Sequence, residues 1–173
     1  MANKEAVILI GHGGTATDTP RPLIGELKRL EAERQARREL KMSPREAELD
    51  KQVREWPRTP ENDAYKVGVD AIAKALAPRL GGRQLVTAYN EFCAPSVEDA
   101  IESLVKDGCT RISLISTMYT RGGVHAEREI PGIVVEARKN HPGVEIEYAW
   151  PFDADYLAGF LAGQLARALP SGA

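Results

Sequence analysis

Two histidines and one glutamate follow segments that have the apolar pattern of buried strands. His12 comes after the run "VILIG", Glu91 after "LVTAYN", and His125 ends the loop "MYTRGGVH" that follows "RISLIST". Imidazole nitrogens and carboxylate oxygens bind borderline divalent metals such as Co²⁺, Fe²⁺, Ni²⁺ and Zn²⁺. A neutral imidazole can also accept a proton near neutral pH, because its unperturbed pKa is about 6.5. These residue types therefore indicate a metal site, a proton-transfer site, or both.

Each histidine also has two glycines beside it. The pairs are Gly13 and Gly14 next to His12, and Gly122 and Gly123 next to His125. A lone histidine at a strand end is more often a hydrogen-bonded loop residue, and Glu91 alone could cap the helix that follows it. Glycine pairs, however, let a bulky ligand approach the backbone closely. The repetition of this pattern at two strand ends favours a ligand site.

The elements that must position these residues can be predicted from apolar patterning. Four apolar segments are typical of strands: 6–11, 83–90, 111–117 and 144–150. Between and after them, 95–108, 125–140 and 153–169 have helical periodicity, and Pro131 should interrupt the second of these. The last is expected to bury Leu157, Phe160, Leu161 and Leu165. This alternation predicts an α/β fold, flavodoxin-like, with a four-stranded parallel sheet in the order 2-1-3-4 and helices on both faces.

In such a sheet, ligands bind beyond the carboxyl ends of the strands where the strand order reverses. Strands one and three are neighbours there, so His12 and His125 should flank one crevice, with Glu91 reaching the same edge. His141, beside Pro142, is expected to lie in a loop outside the site. The chain has no GxxxxGK[ST] motif, so a nucleotide is not expected.

A charged insertion, about 20–60, departs from the small version of this fold. "SPRE" (43–46) is a capping box with proline at the first helical position, and "TPEN" (59–62) is expected to start a further helix. A leucine stripe formed by Leu23, Leu27 and Leu30 precedes them. We expect a helical hairpin standing off the domain. It would serve as a lid or an interface, or it would be a solvent-exposed surface segment without such a role. Val53 and Trp56 should bury somewhere.

The composition limits which classes of protein this chain can belong to. The chain has 173 residues, 43% hydrophobic and 28% charged, with a formal net charge of −2. This suits one domain spanning 1–173 and argues against a nucleic-acid binder, which needs a basic excess. No apolar run approaches the roughly 18 residues of a membrane span, and no signal peptide is recognisable. Cys93 and Cys109 are expected to be free thiols, buried as small hydrophobes, in a reducing cytoplasm.

Three segments in series resemble one known family. "VILIGHGG", "YNEFCAPSVEDAIESLVKDGCTRISLIS" and "GGVHAEREIP" are similar to the class II tetrapyrrole chelatases, specifically the sirohydrochlorin chelatases of cobalamin and sirohaem synthesis. The resemblance covers about 5–14 and 83–150. It implies that His12 and His125 handle the metal and that Glu91 assists them. Gly14 and Thr15 stand where the family commonly has serine and arginine, and short members lack the insertion.

The resemblance implies insertion of Co²⁺, Fe²⁺ or Ni²⁺ into a sirohydrochlorin-type tetrapyrrole without ATP, by a homodimer. Such a macrocycle is a polycarboxylate, so the rim of its cleft should be basic. Arg121 and Arg128 are the candidates for its carboxylates. A carrier that binds metal or tetrapyrrole without turnover would need the same ligands. A histidine phosphatase is disfavoured, because Gly11 stands where that class has a phosphate-binding arginine.

Overall fold

The computed structural model describes residues 4–39 and 41–169. Its parallel sheet contains β1 (Glu5–Gly11), β2 (Gln84–Tyr89), β3 (Arg111–Ser116) and β4 (Glu145–Tyr148), in the order β2-β1-β3-β4. The α-helices are α1 (Arg21–Ala36), α2 (Pro44–Arg54), α3 (Ala64–Leu76), α4 (Val97–Lys106), α5 (Ile130–Asn140) and α6 (Ala154–Ala168). The predicted α/β class, parallel sheet and strand order are therefore confirmed.

The sheet buries both of its faces. The larger core lies between the sheet and α4 and α5, where Ile8, Ile112 and Ile101 are fully buried. On the opposite face, Leu9 of β1 packs with Val69 of α3. Strand β1 is continuously apolar because it contributes to both cores. Helices on both faces confirm the expected layering.

The two cysteines are free and buried. Cys93 belongs to the core on the α3 side and Cys109 to the core under α4 and α5. Burial raises the pKa of the Cys93 thiol, so it stays protonated at neutral pH. Both thiols are packed as small hydrophobes, as predicted.

Helix α3 begins later than the sequence pattern suggested. The cap is Asp63, whose Oδ1 accepts a hydrogen bond from the Lys66 N–H at 2.8 Å. Thr59 instead closes a turn with Asn62, donating its N–H to Asn62 Oδ1 at 2.7 Å. The side chain of Asn62 is already hydrogen-bonded within that turn and is not free to cap the helix. The helix is therefore capped by the carboxylate of the next residue, Asp63.

The helices α1 and α2 pack on each other and on the body of the domain. Leu27, Leu49 and Val53 form their buried contact, and Phe92 from the loop after β2 packs against it. Ser43 and Glu46 make the predicted capping box at the start of α2. The expectation that this hairpin stands off the domain was wrong, because Phe92 completes its core. We refer to these helices below as the α1–α2 pair.

The predicted burial of α6 was also wrong. Asp153 caps the helix, accepting from the Tyr156 N–H at 2.8 Å. Phe160, Leu161 and Leu165 are nevertheless exposed, Phe160 by 62%. Amphipathic spacing predicts an apolar face, but it does not say which surface covers that face.

No helix in the described part of the chain is long and apolar enough to cross a membrane.

Candidate metal site

His12, Glu91 and His125 meet at the carboxyl edge of the sheet. One potential ligand atom from each lies within 4.8 Å of the others. His12 Nε2 is 3.8 Å from Glu91 Oε2, and His125 Nε2 is 3.9 Å from Glu91 Oε1. The two imidazole rings lie nearly perpendicular, with centroids 4.8 Å apart. The structure thus brings together all three residues that the sequence analysis selected as metal ligands.

The pairing of β1 with β2 continues past the strand ends and fixes the spacing of the site. The Asn90 N–H donates to the Gly11 carbonyl at 3.0 Å, and the Glu91 N–H to the His12 carbonyl at 2.8 Å. Gly13 has a positive φ of 94°, and a Cβ atom there would lie 1.8 Å from the Glu91 carbonyl oxygen. Only glycine therefore allows the two loops to approach this closely.

The first histidine is held by backbone and by one tyrosine. His12 Nδ1 lies 2.8 Å from the Gly13 carbonyl oxygen, which can only accept a hydrogen bond. Nδ1 therefore carries the proton, and the lone pair on Nε2 faces Glu91. The backbone N–H of His12 donates to Tyr65 Oη at 2.7 Å, which anchors the residue to α3.

The second histidine is held by a carboxylate that the sequence analysis missed. His125 opens a single π-helical turn (His125–Glu129) before α5, with Pro131 just beyond that turn. Its Nδ1 donates to Glu129 Oε2 at 2.7 Å, which leaves Nε2 directed at the site. Asn90 Nδ2 donates to the same oxygen at 2.7 Å. Carboxylates that orient a histidine in this way are common around bound metals.

The hydrogen bonds to Glu129 also keep it ionised. Burial by itself would raise the pKa of this carboxyl, but the hydrogen bonds from Asn90 and His125 outweigh burial and hold the pKa below its usual value. The only sequence signal for Glu129 was its position four residues after a histidine in a predicted helix.

We expect Glu129→Gln to weaken Co²⁺ binding by about tenfold, the lower range for loss of such a partner. The amide oxygen of glutamine can still accept the proton of His125 Nδ1, but it lacks the negative charge that makes the imidazole a stronger ligand. Isothermal titration with Co²⁺ measures the change. The matched control is Glu127→Gln on the same turn; within residues 4–39 and 41–169, the ion pair found for Glu127 is with Arg121, at 3.6 Å. Equal affinities of the two variants would contradict this role.

The other residues considered in the sequence analysis lie at different distances from the metal site. Arg121 is exposed and lies outside the cleft described below, whereas Arg128 lines it. Gly14 packs beside Tyr65, and Gly122 has a positive φ of 88°. Gly123 is near the Thr120 carbonyl. His141 is remote from the site, as expected, with its Nε2 2.6 Å from Glu102 Oε1.

A cleft of about 930 Å³ borders the metal site. It lies between the α1–α2 pair and the helices α4 and α5, and Asn90, Glu91 and Glu129 line it at the sheet edge. Nine carboxylates and three arginines line this cleft. Two of the arginines are paired, Arg34 with Glu46 and Arg54 with Asp50. The expectation of a basic rim is therefore wrong for this cleft.

The acidic lining affects the carboxyl of Glu31, on the inner side of α1. Burial raises the pKa of this carboxyl, and the nearby negative charges of Glu91, Glu46 and Glu129 raise it further. The same charges make the cleft attractive to a divalent cation.

The comparisons with known proteins decide the family. The sequence model of the CbiX family matches residues 59–166, which is more than half of the chain. This chain belongs to the CbiX family. The resemblance to class II tetrapyrrole chelatases is thereby confirmed. The match to the CbiX family begins after the α1–α2 pair, so both this pair and His12 lie outside it.

Curated relatives of this CbiX-family chain include two sirohydrochlorin ferrochelatases. The one from Priestia megaterium is 29% identical over 67 residues, covering 39% of this chain and 25% of the relative. The one from Bacillus subtilis (strain 168) is 29% identical over 68 residues, covering 39% and 26%. The matches thus span about a quarter of the length of these relatives.

Solved structures share the fold. SirB from Bacillus subtilis with Fe³⁺ has a TM-score of 0.53 at 16% identity, covering 96% of this chain and 48% of SirB. The CbiX protein of Marinobacter aquaeolei VT8 has a TM-score of 0.56 at 13% identity, covering 96% and 94%. The chain therefore corresponds to about half of SirB and to nearly all of the Marinobacter protein.

Proposed function

We propose that this protein inserts a divalent metal, Co²⁺ or Fe²⁺, into a sirohydrochlorin-type tetrapyrrole. The observation that carries the proposal is the arrangement of His12, Glu91 and His125, with both Nε2 atoms facing one carboxylate beside a cleft. The relatives named sirohydrochlorin ferrochelatase support the choice of substrate. The two unpaired cysteines favour a reducing compartment such as the cytoplasm.

Metal insertion breaks two pyrrole N–H bonds, forms metal–nitrogen bonds in their place and releases two protons. The Nε2 atoms of His12 and His125 can each hold the entering metal or accept a proton. Glu91 lies between them and can take the second proton. Glu129 keeps the proton of His125 on Nδ1, so that Nε2 remains available. The exchange of two protons for one divalent cation balances in charge. The chain has no GxxxxGK[ST] phosphate loop, so the reaction we propose uses no ATP.

The cleft beside the site is the proposed seat of the macrocycle. Arg128 is the lining arginine for which no ion pair is found within residues 4–39 and 41–169, so its guanidinium is the candidate for a substrate carboxylate. The acidic residues around it would attract the metal rather than the macrocycle. We therefore propose that metal enters along the acidic wall and that Arg128 orients the tetrapyrrole.

The proposal is tested by anaerobic incubation with excess sirohydrochlorin and Co²⁺ or Fe²⁺, while the visible spectrum of the macrocycle is followed. Conversion of many equivalents per protein, faster than without protein, is the result expected of a chelatase. Conversion or binding of a single equivalent would identify the alternative, a carrier of metal or tetrapyrrole. A rate equal to the protein-free rate would overturn the proposal for these substrates.

We further propose that a second copy of the chain covers α6, giving a homodimer. The exposed Phe160, Leu161 and Leu165 support this, since apolar patches on a helix are unfavourable in water. In sedimentation velocity at micromolar concentration, the protein should sediment as a dimer and Phe160→Glu as a monomer. Lys106→Glu at the end of α4 is the control and should leave the dimer intact. A monomeric wild-type protein would overturn this assignment.

A further inference from the structure

Arg54, the last residue of α2, binds the loop that carries Glu91. Its Nη2 donates to the Asn90 carbonyl at 2.8 Å, and its Nη1 lies 3.4 Å from the Tyr89 carbonyl and 3.3 Å from the Cys93 carbonyl. Its Nε donates to Asp50 Oδ2 at 2.7 Å. One planar guanidinium therefore contacts carbonyls on both sides of Glu91.

Arg58 joins this loop to the loop that follows His12. Its Nη1 donates to the Gly14 carbonyl at 2.6 Å, and its Nη2 to the Phe92 carbonyl. Its charge is balanced by Asp63 at 2.8 Å, and both side chains are almost fully buried. The buried guanidinium of Arg58 is thus hydrogen-bonded to both loops that carry metal-site residues.

The loop after β2 needs such support. Phe92 has a positive φ of 57°, a conformation that residues with a Cβ atom rarely adopt. Strained backbone persists where surrounding contacts over-determine it. Here those contacts are the two arginines, together with the Glu91 N–H bond to the His12 carbonyl.

We propose that Arg54 and Arg58 are positioning residues, which hold the loops of Glu91 and His12 at the spacing that the metal site requires. The inference rests on the proposed function, because the site is taken to bind metal. Both arginines precede residue 59, where the match to the CbiX family begins. The segment that contains the α1–α2 pair and the residues up to Arg58 would therefore support the metal site as well as form a wall of the cleft.

The test uses Arg54, because removing Arg58 would leave Asp63 buried without its partner. Arg54→Gln removes the charge and the fork, whereas Arg54→Lys keeps a charge near Asp50 but cannot bridge several carbonyls. The control is Arg45→Gln on the same helix; in the described part of the chain, the ion pairs found for Arg45 are with Glu26 and Glu48 at the surface. Co²⁺ affinity is measured by titration, the Co²⁺ visible spectrum reports the coordination geometry, and hydrogen exchange follows the amides of residues 91 and 93.

We expect both Arg54 variants to bind Co²⁺ about tenfold more weakly, with an altered spectrum and faster exchange at these amides. Arg45→Gln should match the wild type in all three measurements. Wild-type affinity and spectrum in Arg54→Lys would overturn the inference and leave the proposed function intact. A wild-type protein that binds no Co²⁺ would overturn both. If Arg54→Gln does not fold, Arg54→Lys decides by the same measurements.

Discussion

Replacing either His12 or His125 by alanine is expected to lower the rate of metal insertion by about 100-fold or more, the usual range for loss of a proton-transfer group. Alanine removes one of the two Nε2 atoms that face Glu91, so neither metal binding on that side nor proton acceptance is possible. Initial rates with sirohydrochlorin and Co²⁺, measured anaerobically, give the size of the loss.

The matched control is His141→Ala. His141, which follows the last residue of α5, is half-buried like the other histidines, but its Nε2 contacts Glu102 of α4, remote from the metal site. We expect this variant to keep the wild-type rate. If His141→Ala lost as much activity as His12→Ala, the loss would reflect general damage. If His12→Ala kept the full rate, the chemistry would have to reside elsewhere.

The central part of this site could be predicted because it depends on topology. Parallel strands β1 and β3 are neighbours, so the loops that follow them lie at one edge of the sheet. The apolar runs in these strands are long enough to be recognised without tertiary information. Strand order therefore placed His12 and the loop that ends in His125 at the same edge of the sheet, with Glu91 after the neighbouring β2.

The surroundings of the site could not be predicted in the same way. The hydrogen bond between Glu129 and His125 depends on the π-helical turn, which has no reliable local signature. The packing of the α1–α2 pair on Phe92 joins residues far apart in the chain; the sequence indicated that Val53 would be buried, but not which surface would cover it. The exposed face of α6 shows the same limit, since periodicity identifies an apolar face but not its partner.

Gly13→Ala is the second variant for which a large effect is expected. At a positive φ of 94°, an alanine is disfavoured by roughly 1–2 kcal/mol relative to ordinary helix or strand backbone. Its Cβ would also lie 1.8 Å from the Glu91 carbonyl oxygen, so the loop after β2 must move. Arg54 and Arg58 hold that loop through its carbonyls, so the movement would cost several hydrogen bonds. We expect the free energy of unfolding to fall by about 2 kcal/mol or more.

The measurements for Gly13→Ala are urea unfolding and Co²⁺ titration, with Gly14→Ala as the control. A Cβ on residue 14 would meet the Tyr65 side chain at 3.7 Å, an ordinary contact, so this variant should stay close to the wild type. The result also separates two roles for Gly13. If glycine serves only to admit the macrocycle, Gly13→Ala should keep its Co²⁺ affinity and lose tetrapyrrole binding. If it serves the approach of the two loops, as the structure indicates, Co²⁺ binding should already be lost when no macrocycle is present.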